Sequence, residues 1–162
     1  MDQPAALLVT ELAPDFARWD ELLAVILRAF AYMDGVIDPP SSAHLLSPEG
    51  LRHKAGHETA FLAVENGQIA GCVFALERAT DFHVGKLAVE PGLQGRGIGG
   101  RLMQAVEDFA RRRGKIAIEL QTRIELTANH AAFARLGFRE TERTAHEGYN
   151  RPTSITMRKV LS

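Results

Sequence analysis

From Asp15 to Phe30 the apolar residues Phe16, Trp19, Leu22, Leu23, Ile26, Leu27 and Phe30 return every three or four positions. That spacing predicts a first amphipathic helix, ending near Met33-Asp34-Gly35, behind a short strand from Leu7 to Glu11. The segment Asp38-Pro39-Pro40-Ser41-Ser42 cannot continue a helix, because proline fixes φ and removes an amide donor. Residues 34–46 therefore form an irregular loop, and Ser47-Pro48-Glu49-Gly50 starts a short second helix. Ala60 to Val64 and Ile69 to Leu76 are apolar on both faces and flank Asn66-Gly67, which predicts a hairpin of central strands covered by helices. Phe82 to Val89 is a further strand. The helix starting at Ile98 turns Ile98, Leu102, Val106 and Phe109 inward, sets Glu107/Arg111 and Asp108/Arg112 as pairs on its outer face, and ends at Gly114. Ile116 to Leu120 is a strand, Thr127 caps a short helix that stops at Gly137, and Phe138 to Ala145 and Ser154 to Leu161 are the last two strands. The order is β, α, α, β, β, β, α, β, α, β, β, an α/β (α+β) chain without an internal repeat or linker.

At 162 residues, 46% of them hydrophobic, the chain has room for one domain with its own core, spanning residues 1–162. A formal charge of −1 with both signs mixed along the chain gives no basic surface for nucleic acid. The N-terminus lacks the basic start and long apolar core of a signal peptide, and no apolar run is long enough to span a bilayer, so a cytoplasmic protein with no membrane partner is expected. The single cysteine, Cys72, sits in an apolar strand and reads as a buried structural thiol. His53 and His57 are spaced i,i+4, but Gly56 is read as ending the helix between them and no third ligand follows, so no metal is expected.

Chemistry enters at Gln94-Gly95-Arg96-Gly97-Ile98-Gly99, followed by Gly100, between the strand ending Leu87-Ala88-Val89 and the helix at Ile98. Glycines let several N–H groups converge on one anion, and the helix adds its unpaired amides and the positive end of its dipole, so the stretch predicts a phosphorylated cofactor. Gly95, Gly97 and Gly100 also match a dinucleotide fingerprint, with Glu119 about 20 residues on. The element order argues against that reading, since an antiparallel hairpin precedes the loop, only one strand–helix unit follows it, and Glu119 is mid-strand. A tight turn with no ligand is the remaining alternative.

Leu87-Ala88-Val89-Glu90-Pro91 with Gln94-Gly95-Arg96-Gly97-Ile98-Gly99 resembles the acyl-CoA-binding motif, Q/R-x-x-G-x-G/A, of the GNAT superfamily of N-acetyltransferases. Asn129-His130-Ala131-Ala132-Phe133-Ala134-Arg135-Leu136-Gly137-Phe138 resembles that family's later helix-to-strand signature, in the expected order. The resemblance implies a mixed, mostly antiparallel, splayed sheet of about seven strands with helices on both faces. It implies acetyl-CoA as acyl donor, its pantetheine arm lying along Leu87, Ala88 and Val89, its pyrophosphate on the amides from Gln94 to Arg101, and Asn129 hydrogen-bonding near the arm. Arg111, Arg112, Arg113 and Lys115 either reach the ribose 3′-phosphate or answer the helix dipole. A homodimer is common in the family, although nothing in the sequence specifies one.

In such enzymes a neutral amine attacks the thioester directly. His83, four residues before Leu87 on the same strand and, by strand periodicity, on the same face, is the expected base, with Glu77 and His146 as alternatives and a hydrogen-bonded structural histidine as the other reading. Where the family commonly has a tyrosine as acid, this chain has Phe133; Tyr149 or Tyr32 from the acceptor-side loops would have to serve, or water. The resemblance places the acceptor, a small-molecule or peptide amine, between the loop from Met33 to His44 and the connection from His146 to Pro152. Asp34, Asp38, Glu147 and Tyr149 there suit a cationic amine, although loop carboxylates are also commonly just solvated. The leading reading is an acetyl-CoA-dependent N-acetyltransferase; a non-catalytic acyl-CoA-binding module, motivated by Phe133, and a nicotinamide-dependent oxidoreductase are the alternatives.

Overall fold

The computed structural model describes residues 6–162. The expected elements form in the expected order: β1 (Leu7–Glu11), α1 (Trp19–Phe30), α2 (Pro48–His57), β2 (Thr59–Glu65), β3 (Gln68–Glu77), β4 (Asp81–Val89), α3 (Ile98–Arg112), β5 (Ala117–Arg123), α4 (Thr127–Arg135), β6 (Arg139–Thr144) and β7 (Ser154–Val160). Short 3-10 turns lie at Ala31–Met33, Ser42–Leu45 and Pro91–Leu93. Three expected element boundaries change. Helix α1 begins at Trp19, not Asp15: Phe16 keeps its place by packing edge-on against Trp19, with ring centroids 4.8 Å apart, while its amide closes a turn on Ala13. Gly56 does not end α2, which runs on to His57. Thr127 opens α4 as its first residue, and Leu126 takes the cap position without a side-chain bond.

One seven-stranded sheet carries the order β1-β2-β3-β4-β5-β7-β6, antiparallel at every pairing except β4 with β5. Strands β2 and β3, apolar on both sides, are sandwiched as expected. Phe61 and Val73 face α3, joined by Phe82, Leu102 and Val106, whereas Leu62 and Phe74 face α1 and α2, joined by Leu22, Ile26 and Leu51. Leu22, Ile26, Leu51 and Phe74 have no exposed surface, and each such burial contributes about 1.5–3 kcal/mol relative to exposure. Glu107, expected on the outer face of α3, is instead buried, because Lys159 of β7 reaches it at 2.8 Å and Arg111 at 2.6 Å. A buried carboxylate held by two cations is tolerated where an unpaired one is not.

The parallel pairing of β4 and β5 covers only Asp81–Val84 against Ala117–Leu120. Beyond Val84, β4 stays with β3, and β5 stays with β7 as far as Arg123, so the sheet opens. The closed end is locked by an ion network. Arg78 grips Asp81 at 2.7 and 2.9 Å and Glu119 at 3.0 Å, while Arg158 reaches the same carboxylates at 2.7 and 3.2 Å. The Arg78 hydrogen bonds, supported by Arg158, hold the Asp81 carboxyl down to about 2.

The open end begins with a β-bulge. Lys86 and Leu87 together oppose the single Val73, and Lys86 takes the left-handed conformation, with φ of 52°. A bulge inverts side-chain parity beyond it. Phe82 and Val84 before the bulge, and Leu87 and Val89 after it, therefore all pack toward α3, leaving Ala88 on the α1 side. His83, between Phe82 and Val84 in the regular part of β4, faces the side opposite to Leu87. The expectation of a shared face fails because an unbroken two-residue period was assumed.

The bulged strand lies unusually close to β3: a Cβ placed on Gly71 would fall 2.5 Å from the Ala88 carbonyl oxygen. Gly71→Ala is expected to cost about 1–3 kcal/mol, because backbone, not a flexible side chain, must move. Gly56→Ala, in α2 with open space around it, is expected to raise stability by about 0.5–1 kcal/mol. Thermal unfolding of the two variants reads both, and opposite shifts are the expected outcome.

Candidate functional site

Two features meet where the sheet opens. The first is a cradle of backbone amides. After the Pro91–Leu93 turn the chain passes through Gly95 (φ 83°) and Gly97 (φ 80°), left-handed positions that L side chains occupy at a cost of about 1–2 kcal/mol, and Gly97 caps α3. The Arg101 amide bonds to the Gly97 carbonyl at 3.1 Å, so those of Ile98, Gly99 and Gly100 precede the first intrahelical bond and point outward from the helix start. A Cβ on Gly95, Gly97 or Gly100 would meet nothing within 4 Å, and one on Gly99 would touch only Val89 Cγ2, at 3.7 Å. The cradle is therefore open above and seated on β4 below.

Side chains pin it from the edges. Gln94 Nε2 donates to the Val89 carbonyl at 3.3 Å, Arg96 pairs with Glu65 at 2.9 Å, and Arg101 donates to the Leu7 carbonyl at 3.1 Å. Arg111, Arg113 and Lys115 lie at the other end of α3, about 20 Å away at 1.5 Å per residue. They are spent on carboxylates: Arg113 and Lys115 on Glu77 at 2.9 and 3.0 Å, and Arg111 on Glu107. Arg112 lies over the Phe109 ring instead of pairing with Asp108.

The second feature is a cavity of about 450 Å³ that runs through the opening between β4 and β5. Its α3 side is lined by Leu87, Met103, Leu120, Asn129 and Phe133. Ala88 and Val89 continue the strand beside it, Ala88 buried under α1. Asn129 does not cap its own helix; its amide donates to the Tyr32 hydroxyl at 2.9 Å. Tyr32 lines the cavity and donates its own O–H proton to no partner among the described residues. The Phe133 ring packs edge-on against Phe138, with centroids 5.9 Å apart, as part of the core wall.

On the α1–α2 side the same cavity is lined by His83, Glu58, Lys54, Lys86, Arg123 and His146. His83 Nδ1 is buried without a hydrogen-bond partner among the described residues. Burial, and then Arg78, hold its pKa below 6.5, so the ring is neutral at neutral pH and can accept a proton. His146 is also lowered, by burial and then by Arg123, but both its backbone N–H and its Nδ1 are bonded to Thr153 Oγ1.

The other sequence candidates are engaged elsewhere. Tyr149 donates to Asp38 Oδ1 at 2.6 Å, outside the cavity lining, and Asp38 also takes Arg151 at 3.3 Å, so the loop from Met33 to His44 and the connection from His146 to Pro152 are tied to each other. That bond raises the Tyr149 pKa. Asp34 pairs with His44 at 2.7 Å, and neither it nor Glu147 lines the cavity. Glu119 belongs to the ion network on β5, which leaves no free acid where the dinucleotide reading needs one. The Cys72 thiol donates to the Lys86 carbonyl at 3.4 Å, and burial pushes its pKa up to about 12, so it braces the bulge and is no nucleophile. His57 Nδ1 bonds the His53 carbonyl, and among the described residues no three His, Cys, Asp or Glu side chains gather to hold a metal. Sequence reasoning missed Lys54, Glu58, Lys86 and Arg123. The one signal was Lys86 itself, a lone cation in an otherwise apolar strand.

The comparisons with known proteins agree with this geometry. A family model described as "Acetyltransferase (GNAT) family" matches residues 19–138. An IAA acetyltransferase of Azospirillum brasilense is 31% identical over 145 residues, 88% of this chain and 92% of that protein. Among solved structures, the PaiA N-acetyltransferase of Thermoplasma acidophilum in complex with coenzyme A superposes with a TM-score of 0.79 at 14% identity, covering 96% of this chain and 99% of that one. A GNAT-family acetyltransferase of Staphylococcus aureus Mu50 gives 0.76 at 18% identity, covering 97% of this chain and all of that one. With the family match spanning most of its length, the glycine cradle at the start of α3 and the sheet split beside it, the chain belongs to the GNAT family and is an acetyltransferase.

Proposed function

We propose that the chain binds acetyl-CoA and transfers its acetyl group to a primary amine of a small molecule or peptide by direct attack within a ternary complex. The observation that supports this most is the single cavity through the split sheet, which joins the cofactor side, at Leu87, Met103 and Asn129, to the acceptor side, at His83. Beyond Val84 the edge of β4 has no β5 partner, so Leu87, Ala88 and Val89 can pair with the pantetheine arm as if it were a strand. The amides of Gly95 to Gly100, with Gln94, Arg96 and Ile98 shaping the loop, receive the pyrophosphate.

The chemistry has three requirements. His83 takes the ammonium proton, directly or through water; the neutral nitrogen attacks the thioester carbon; the C–N bond forms, the C–S bond breaks, the thiolate leaves with the electron pair, and the second proton that the nitrogen sheds as the amide forms restores the one the thiolate takes from its acid. Tyr32, held by Asn129, supplies the thiolate's proton in this reading, in preference to Tyr149, whose hydroxyl is committed to Asp38.

Each role has its measurement. Gly97→Ala puts a methyl in the cradle at a left-handed position, and calorimetry should show acetyl-CoA affinity falling about five- to thirtyfold, as expected for a loss of about 1–2 kcal/mol. His83→Ala should lower kcat/KM about 100-fold in a thiol-release assay across an amine panel, with acetyl-CoA affinity held within about twofold. Because burial lowers the His83 pKa, the base form persists below pH 6.5; the parent's acidic limb should lie below that value and vanish in the variant. Unchanged rates would remove His83 from the mechanism. Tyr32→Phe should lower kcat by about tenfold, less than loss of the base, with Tyr149→Phe as the comparison that should change it less.

A further inference from the structure

The acceptor end of the cavity holds two cations that pair with no carboxylate among the described residues. Lys86 and Arg123 are both partly buried, both line the cavity, and among the described residues neither has an ion-pair partner within 4.0 Å. Each is fixed by the same short piece of loop: Lys86 Nζ donates to Ser42 Oγ at 2.8 Å, and Arg123 donates to the carbonyls of Pro39 and Pro40 at 2.8 and 3.1 Å. Those bonds use one of the three Lys86 donors and two of the five Arg123 donors. Ser41 and Ser42 line the cavity beside them.

The neighbouring charges do not cancel this pair. Lys54 and Glu58 face the cavity but neutralise each other at 2.6 Å. Asp38 is held by Tyr149 and Arg151. Glu125 accepts the Asp38 amide at 3.1 Å and leaves its other oxygen buried without a partner among the described residues, so it moderates Arg123 from beyond contact distance without lining the cavity. His83 and His146 are neutral at neutral pH. Burial lowers the pKa of Lys86 and of Arg123, and in Lys86 the charge of Lys54 adds to it; Glu58 near Lys86, and Glu125 and Asp38 near Arg123, offset this only in part. Tying down three loop oxygens would need only neutral donors, at far smaller desolvation cost.

We propose that the acceptor amine also carries an anionic oxygen group, a carboxylate or a phosphate, which Lys86 and Arg123 bind while the amine faces His83. The proposal rests on reading this chamber as the acceptor site for acyl transfer. It reverses the sequence expectation of a cationic acceptor held by loop carboxylates, since Asp34, Asp38 and Glu147 all lie outside the cavity. Arg123 offers its remaining guanidinium donors to two oxygens at once, whereas Lys86 acts as a point charge.

The test is thiol release by the full chain with acetyl-CoA and matched acceptors: the common amino acids against their primary amides, phosphoethanolamine against ethanolamine, and putrescine. The anionic member of at least one pair should have a kcat/KM about tenfold or more above its neutral partner, carried mainly by KM, and the pair that responds distinguishes carboxylate from phosphate. Lys86→Gln and Arg123→Gln should each shrink that ratio about tenfold, with acetyl-CoA calorimetry confirming that the variants are folded. Preference for putrescine or for the neutral members, or a ratio unmoved in both variants, overturns the proposal while leaving acyl transfer standing. If no amine is turned over, the same compounds are titrated into the CoA-loaded chain. Tighter binding of an anionic member, weakened by Lys86→Gln, then upholds the anion site while the amine-transfer reading falls, and binding without that preference overturns the site as well.

Discussion

The functional half of this molecule depends on the point where β4 stops pairing with β5. Four residues of each strand are joined, and then Lys86 enters a left-handed bulge that turns β4 away. A sheet split in mid-span exposes backbone that would otherwise be satisfied by a neighbouring strand, and such groups must find partners. The rest of the structure contains that cost. The Arg78–Asp81–Glu119–Arg158 network holds the closed end, Gly71 lets β3 follow the bulged strand at close range, and α3 and α4 wall the gap with Met103 and Phe133. An opening with unpaired strand edge on one side and a helix N-terminus alongside suits an extended, phosphorylated arm, as the proposed function requires.

Most of the fold was legible because it rests on local pattern. The helix faces of α1 and α3, the Asn66-Gly67 hairpin and the glycine cradle are each written in a few adjacent residues whose period or φ preference has one good solution. What was not legible came from relations between distant segments. The side of the sheet that His83 faces relative to Leu87 depends on a bulge opposite Val73, whose one local mark is Gly85, an isolated glycine inside the strand pattern. Glu107 reads as a solvent-facing member of an i,i+4 pair until Lys159, from the other end of the chain, covers it. The loop carboxylates look like ligands in sequence because their partners, His44, Tyr149 and Arg151, are separated from them by up to 113 residues.

The same long-range ties organise the α1–α2 side of the cavity, proposed above to receive the acceptor. Residues 38–42 form no regular sheet or helix contact with β5, yet they are held from the sheet by Arg123 and Lys86 and from the β6–β7 connection by Tyr149 and Arg151. A loop built around two consecutive prolines has few unfolded-state conformations to lose, so a handful of hydrogen bonds suffices to order it. Its carbonyls and serine hydroxyls then set the position of the cations beneath. Loop and cations therefore form one unit, and the charge of the chamber is decided by which side chains the loop engages, not by which side chains it carries.

Phe133 raises the question of what a missing acid costs in this chemistry, and magnitudes decide it. An amine with a lysine-like pKa near 10.4 must shed a proton about 3–4 units above neutral pH, a cost of about 4–5 kcal/mol before attack. A thiol with a pKa near 8.5 leaves as a thiolate only about 1.5 units above neutral, so the absence of an acid costs about 2 kcal/mol at most. The base is the more valuable group. In the mechanism proposed above the base is His83, a neutral imidazole whose Nδ1 has no partner among the described residues, and position 133 carries a ring that packs on Phe138 and seals the core wall. Trading a donor worth less for a drier slot is consistent with direct attack on a thioester, because excluding water from the cofactor side protects the acyl group from hydrolysis and strengthens every polar contact that remains.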